Sequence, residues 1–203
     1  MLLQTYPYPS LCCHYTPRDN PVAIQSLLSK RGHIYLIKKI AYLTIFSLAF
    51  AFVEAAVVFY IRSIFNLNSN YIPNSRYTEI LNLGVIAFLA PGDSAFPIST
   101  ITRVEAIREL ATLVMLGSVA LIAGKTFIQK LGAFLIAFSI WDIFYYVFLK
   151  FLTGWPPSVF TTDIFFINPV MWIGPVITAL VSSGFFLIIG TIMFYRGNKK
   201  NEK

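Results

Sequence analysis

Charged residues are scarce in this sequence. Only 12% of the 203 residues are Asp, Glu, Lys or Arg, whereas soluble domains usually carry about 25%. Hydrophobic residues reach 57% and the mean hydropathy is +0.69. So little charge, arranged between long uncharged runs, excludes an ordinary soluble domain and indicates an integral membrane protein. At this length we expect one transmembrane bundle without a separate soluble enzyme domain.

Histidine and cysteine are absent from the apolar runs. The only cysteines, Cys12 and Cys13, and the only histidines, His14 and His33, all precede the first run. The membrane core therefore lacks imidazole and thiolate groups, which haem ligation, zinc sites and Cys/His or Ser/His nucleophile pairs require. The sequence predicts no haem and no zinc site. A basic patch interleaved with aromatics is missing too, so despite a net charge of +7 we expect no nucleic-acid partner.

Four apolar runs are long enough to cross a bilayer, given a core of about 30 Å and a helical rise of about 1.5 Å per residue. They cover about residues 40–64, 104–124, 131–152 and 169–195. A shorter apolar stretch, Ile80–Ala90, is stopped by Pro91-Gly92-Asp93. Eleven residues are too few to span, so this stretch predicts an interfacial or re-entrant helix. The predicted fold is an all-α four-transmembrane-helix bundle with this short helix between spans 1 and 2.

Charge and turn residues divide the chain and orient it. Residues 1–33 are polar and rich in turn residues, which predicts a poorly ordered tail before a transmembrane domain over 34–196 and a basic tail over 197–203. Eleven of the sixteen basic residues, and only two acids, fall on the side of the two termini. Seven of the nine acids fall on the other side. The positive-inside rule then predicts cytoplasmic termini, and we expect the plasma membrane.

Polar side chains inside the runs mark the predicted ligand or proton site. An ionised carboxylate in hydrocarbon needs a partner, water or a proton, and Asp142 lies near the middle of the third run. Helical spacing and depth place eight further residues on inward faces in the outer half of the bilayer. The predicted site comprises Glu54, Glu105, Arg108, Glu109, Asp142, Tyr145, Tyr146, Thr178 and Ser182. Trp155, Asp163 and Trp172, from the segment between the last two runs, are candidates for a loop or lid over it.

Several chemistries fit these residues. Glu54, Glu109 and Asp142 are candidates for a divalent cation site, because Mg²⁺, Mn²⁺ and Ca²⁺ favour oxygen ligands. A single membrane carboxylate can instead carry a proton.

The favoured function is binding or translocation of a proton, cation or small polar solute. Four helices are few for a transport path, so we expect a homo-oligomer or a membrane complex within the lipid bilayer. Two alternatives stay open. One is a membrane-embedded enzyme acting on a lipid-linked substrate near the outer leaflet, and the other is an accessory subunit whose polar cluster is structural.

Overall fold

A computed structural model describes residues 21–65, 77–91, 100–168 and 170–199. The chain divides into two units, Met1–Lys38 and Lys39–Lys203. Four helices carry most of the described residues: α1 (Pro21–Phe65), α2 (Thr100–Ala123), α3 (Phe127–Thr153) and α4 (Val176–Lys199). Four short strands lie between them: β1 (Tyr77–Asn82), β2 (Ala87–Pro91), β3 (Thr162–Phe166) and β4 (Met171–Pro175). Of the predicted tail, residues 1–20 lie outside the described residues and 21–33 are helical.

The four long apolar helices are confirmed. The segments able to cross a membrane by length and composition are Ile34–Ser63, Arg103–Ala123, Phe127–Thr153 and Val176–Gly197. Their outer faces carry large exposed apolar side chains, such as Ile122 and Phe151, which are 84% and 85% exposed. Lipid tails solvate such faces and water does not, so this exposure is what a membrane-spanning helix requires.

The all-α prediction is wrong in one respect, because a small sheet is also present. The stretch Ile80–Ala90, predicted as a short helix, belongs to the hairpin of β1 and β2. Gly84 adopts a left-handed conformation with φ of 81°, and its N–H donates to Asn82 Oδ1 at 2.8 Å. An Asx turn closed by glycine interrupts any helix and reverses the chain, which is why these residues pair as strands.

The fourth span begins later than predicted. Residues 171–175, assigned by sequence to the start of the span, form strand β4, and helix α4 begins at Val176. Pro175 disfavours helical geometry at Gly174, so the helix starts only after the proline. A side chain at Gly174 would meet Val85 O at 2.6 Å. Glycine thus lets the turn of the first hairpin pass close to β4.

The four strands form a single antiparallel sheet. Strands β1 and β2 belong to the segment between α1 and α2, and β3 and β4 to the segment between α3 and α4. The strand order in the sheet is β1-β2-β4-β3, and β2 pairs with β4 through Phe88 and Trp172 among others. The rings of these two residues meet edge to face at 5.1 Å. Since α1 and α3 run toward this sheet and α2 and α4 run away from it, the sheet covers one end of the four helices.

Helices α3 and α4 pack through glycine. A Cβ at Gly190 would stand 2.8 Å from Leu135 Cβ and 2.9 Å from Gly132 O, and a Cβ at Gly132 would stand 2.7 Å from Gly190 O. Small residues of this kind let two membrane helices approach backbone to backbone. Helix α3 is also capped at both ends. Thr126 accepts from Gln129 N at the start, and Gly154, with φ of 72°, closes the end.

Candidate functional site

A cavity of about 330 Å³ lies at the sheet end of helices α1, α2 and α3. Its fourth wall comes from β3 and the residues that follow it, 163–167. Five carboxylates and two guanidiniums line this cavity, together with two tyrosines: Glu54, Glu105, Glu109, Asp142, Asp163, Arg62, Arg108, Tyr145 and Tyr146. The structure therefore gathers the acids of three helices and one strand around a common space.

Arg108 is the centre of one network. Its guanidinium forms ion pairs with Glu54 on α1 and Glu105 on its own helix, and its Nε donates to Glu105 Oε2 at 2.9 Å. Thr112 Oγ1, one turn along α2, donates to Glu54 Oε2 at 3.4 Å. Because Glu54 is only 6% exposed, this network neutralises a carboxylate that would otherwise be buried without a partner.

Glu109 joins α2 to the wall formed after β3. Its Oε2 and Oε1 accept from the backbone N–H of Ile167 at 2.9 and 3.1 Å. Asn168 Nδ2 donates to Ala106 O at 2.7 Å and lies 3.4 Å from Glu109 Oε2. The carboxylate thus fixes this segment against the helix and satisfies a backbone donor that lies outside any strand pairing.

Asp142 is held from α4. Ser183 Oγ donates to Asp142 Oδ2 at 2.7 Å, and Ser183 is fully buried between the helices. Ser182, the residue predicted from sequence, instead donates to Ala179 O of its own helix at 2.9 Å. The fourth helix therefore supports the site through Ser183 rather than through Ser182.

Asp163 and Arg62 lie at the edge of the cavity nearest the sheet. Tyr146 OH donates to Asp163 Oδ2 at 3.0 Å, and Arg62 Nη2 lies 4.0 Å from Asp163 Oδ1. The Arg62 guanidinium also stacks over the Trp155 ring at 4.0 Å, which is a cation–π contact. Burial raises the pKa of Asp163 to about 6, although the Tyr146 hydroxyl and Arg62 partly offset this effect.

Four predicted residues do not line the cavity. Thr178 lies beside the first hairpin, with Oγ1 at 3.5 Å from Val85 O, and Ser182 bonds within α4. Trp155 is buried in an apolar cluster with Tyr146 and Leu149, among others.

Trp172, the fourth predicted residue outside the cavity lining, packs against two phenylalanine rings of the sheet. Among the predicted loop or lid residues only Asp163 lines the cavity, and Ile164, Phe165, Phe166 and Ile167 extend the same wall.

The described residues contain no group of three or more His, Cys, Asp or Glu side chains arranged to hold a metal ion. Glu54 and Glu109, two of the three proposed metal ligands, have other partners: Arg108 holds Glu54, and the Ile167 N–H holds Glu109. The divalent site therefore stays a prediction from sequence.

The predicted site leaves out five groups that the structure places there. Two of them, Arg62 and Thr112, lie in the predicted spans and line the cavity; the other three are Ser183, the Ile167 backbone N–H and Trp141. Ser183 was overlooked because Thr178 and Ser182 are four residues apart and share a face by helical spacing, whereas Ser183 has no such partner. The Ile167 backbone N–H has no side-chain signal at all. Trp141 lines the cavity and is 6% exposed, and its Nε1 has no hydrogen-bond partner within the described ranges. A tryptophan beside an aspartate in an apolar run was its only signal in the sequence.

Comparison with protein-family models, with curated proteins and with solved structures finds no match for this chain.

Proposed function

We propose that the protein binds a positively charged solute, or protons, in the cavity between α1, α2, α3 and β3. The observation that carries this proposal is the imbalance of charge among the lining residues, with five carboxylates against two guanidiniums. An uncompensated carboxylate in a membrane interior is costly, so the excess acids require a cation, a proton or water. A concave site lined by one sign of charge also concentrates ions of the opposite sign.

The partners of each acid support a binding role over mutual neutralisation. Arg108 serves Glu54 and Glu105, and Arg62 lies beside Asp163. Asp142 receives a single neutral hydroxyl donor, Ser183 Oγ. Glu109 also lacks a basic partner, but the Ile167 N–H donates to both of its carboxylate oxygens. Asp142 keeps one oxygen without a donor among the described residues. Asp142 is therefore the residue from which we expect the ligand to be held.

The orientation proposed from charge places this cavity on the outer side of the membrane. Both termini are then cytoplasmic, and the sheet and the cavity beneath it face outward. Translocation requires a second opening toward the cytoplasm, and four helices leave little room for one. For a carrier function we propose that several copies assemble, so that the path runs between subunits or through a rearranged bundle.

A cation screen on the purified protein in lipid nanodiscs tests the proposal. Inorganic and organic cations, and neutral solutes of matched size, are added at constant ionic strength while the unfolding temperature is measured. We expect at least one cation to raise the unfolding temperature of the wild type through linkage. Asp142→Asn keeps the acceptor for Ser183 Oγ, removes the charge and should lose this response.

The alternatives give different results in the same experiment. A structural accessory subunit shows no response to any cation, and Asp142→Asn is then as stable as the wild type or more so. An enzyme acting on a lipid-linked substrate shows stabilisation by an added lipid instead of by a cation. An equal response of the wild type and Asp142→Asn to every cation would contradict the assignment of the site to this cavity.

A further inference from the structure

One side of α3 presents three unlike groups to the cavity within a single helical turn. Trp141, Asp142 and Tyr145 all line it, and the rings of Trp141 and Tyr145 stack at 6.3 Å with an angle of 23° between their planes. Only Oδ2 of Asp142 receives a hydrogen bond, from Ser183; its Oδ1 has no partner in the described part of the chain. A carboxylate oxygen beside an aromatic wall is the combination that binds ammonium groups, through ion pairing and cation–π attraction.

The same turn holds a donor that no described residue satisfies. Trp141 is 6% exposed, and its Nε1–H is one of two buried indole donors without a partner among the described residues. The other belongs to Trp172, which lies in the sheet and does not line the cavity. A buried donor without a partner costs free energy, so the Trp141 N–H favours a ligand that carries an acceptor.

The size of the cavity separates a bare ion from a molecule. A volume of 330 Å³ corresponds to about eleven waters at about 30 Å³ each, and it falls within the range of roughly 300–1,000 Å³ typical of small-molecule pockets. A proton or a metal ion occupies almost none of this space. Apolar side chains such as Val58, Ile61 and Phe165 share the lining with the acids, which suits a ligand with carbon atoms around its charge.

We infer that the cavity takes an organic ammonium compound that also carries a hydrogen-bond acceptor, with the ammonium against Asp142 and the acceptor facing Trp141 Nε1. This inference rests on the proposed function, because it names the class of cation that the same cavity binds. In this inference Asp142 recognises the charge of the ligand, Tyr145 forms the aromatic wall, and the Trp141 N–H donates to the acceptor of the ligand.

Three small probes separate these contributions. Choline has both the ammonium and a hydroxyl acceptor, and tetramethylammonium has the ammonium alone. The neutral analogue of choline, with carbon in place of nitrogen, is 3,3-dimethylbutan-1-ol, called dimethylbutanol below. Binding of each to the wild type in nanodiscs is measured by calorimetry. We expect choline to bind tighter than tetramethylammonium by about tenfold, the effect of one additional buried hydrogen bond, and dimethylbutanol not to bind at millimolar concentration. This comparison uses only the wild type, so it does not depend on any variant folding.

Two tryptophan variants then test the hydrogen bond from the Trp141 N–H to the acceptor of the ligand. Trp141→Phe keeps an aromatic ring and removes the N–H, so the preference for choline over tetramethylammonium should disappear while tetramethylammonium still binds. Trp172→Phe removes the other unsatisfied indole donor, which lies outside the cavity. This variant should keep the wild-type preference for choline. Asp142→Asn should weaken the binding of both ammonium probes by at least about tenfold, because it removes the charge that holds them.

The outcomes distinguish this inference from the proposed function. If inorganic cations or protons stabilise the wild type and no ammonium probe binds, the organic ligand is wrong and the proposal of a cation-binding cavity stands. If dimethylbutanol binds as well as choline, the ammonium assignment is overturned. If Trp172→Phe loses the preference and Trp141→Phe keeps it, the acceptor is misplaced. If no cation of any kind binds, both proposals fall.

Discussion

Replacing Arg108 with Gln is the most informative single perturbation of the network around the cavity. The substitution removes the guanidinium shared by Glu54 and Glu105 and leaves both carboxylates in place. The side chain of Glu54 is 8% exposed and that of Glu105 is 20% exposed. Water can therefore solvate Glu105 in part, whereas Glu54 has almost no access to it, and most of the loss should come from Glu54.

The expected magnitude follows from two limits. Removing one partner of a buried ion pair typically costs about 3–5 kcal/mol because a charge stays behind without compensation. A glutamate can also escape by taking up a proton, which at pH 7 costs about 3.7 kcal/mol for an ordinary pKa of about 4.3. Because protonation of Glu54 limits the cost of leaving it without a partner, we expect Arg108→Gln to lower the free energy of unfolding by about 3–4 kcal/mol.

Reversible unfolding in mixed detergent micelles measures this free energy. The matched control is the double variant Arg108→Gln with Glu54→Gln, which removes both charges and keeps two groups able to hydrogen-bond. It should recover about 2 kcal/mol or more of the loss. A loss below about 1 kcal/mol for the single variant, the scale of an ordinary polar contact between membrane helices, would refute this account of the network, as would additive losses in the double variant.

Three further predictions concern other parts of the structure. Gly190→Ala should lower the free energy of unfolding by about 1–3 kcal/mol, because its Cβ would meet Leu135 Cβ at 2.8 Å. The control Gly184→Ala, with nothing within 4 Å of the added Cβ, should not destabilise the protein. The same micelle assay compares the two variants. Ser183→Ala should cost about 1–3 kcal/mol in that assay by removing the donor to Asp142, and Ser182→Ala, which breaks only a bond within its own helix, should cost little. For Asp163, the pKa of about 6 in the folded protein lies above its ordinary value because of burial. Its contribution to stability is therefore fully present below the unfolded pKa of about 3.9 and is lost as the pH rises through 6, by up to about 3 kcal/mol. Unfolding followed from pH 4 to pH 7 should show a steeper loss of stability in the wild type than in Asp163→Asn, and the difference between the two is the contribution of Asp163; a parallel dependence in both would contradict it.

The helices were predictable because their signal is local and repeated. Each needs about twenty apolar residues, and the four runs in the sequence correspond to the four apolar helices of the structure. The sheet was not predictable in the same way. Strand β2 is a short apolar segment whose partner β4 lies more than eighty residues along the chain, and only the Asn82–Gly84 turn gave a local sign of a hairpin.

The candidate site shows the same division. Glu54, Arg108, Glu109 and Asp142 were found because charge in an apolar run is conspicuous, and all four line the cavity. Their partners were harder to find. Helical spacing reports which residues share a face but not the rotation of that face, so Ser182 was chosen in place of Ser183. Glu109 accepts from a backbone N–H, which every residue type except proline offers.

The proposal that the cavity attracts cations through Asp142 is tested by the reactivity of a cysteine in the cavity lining with charged thiol reagents. In a background lacking Cys12 and Cys13, Val58→Cys, at a position that lines the cavity, is treated in liposomes with a cationic and an anionic methanethiosulfonate of similar size, both unable to cross the membrane. Phe160→Cys, in the exposed loop after α3, and Val181→Cys, on the exposed apolar face of α4, are the controls for free access and for lipid. We predict that Val58→Cys reacts about tenfold faster with the cationic reagent and that adding Asp142→Asn reduces this preference, while Phe160→Cys shows little preference and Val181→Cys reacts with neither. Complete protection at position 58, or equal rates with the two reagents, would contradict the proposal.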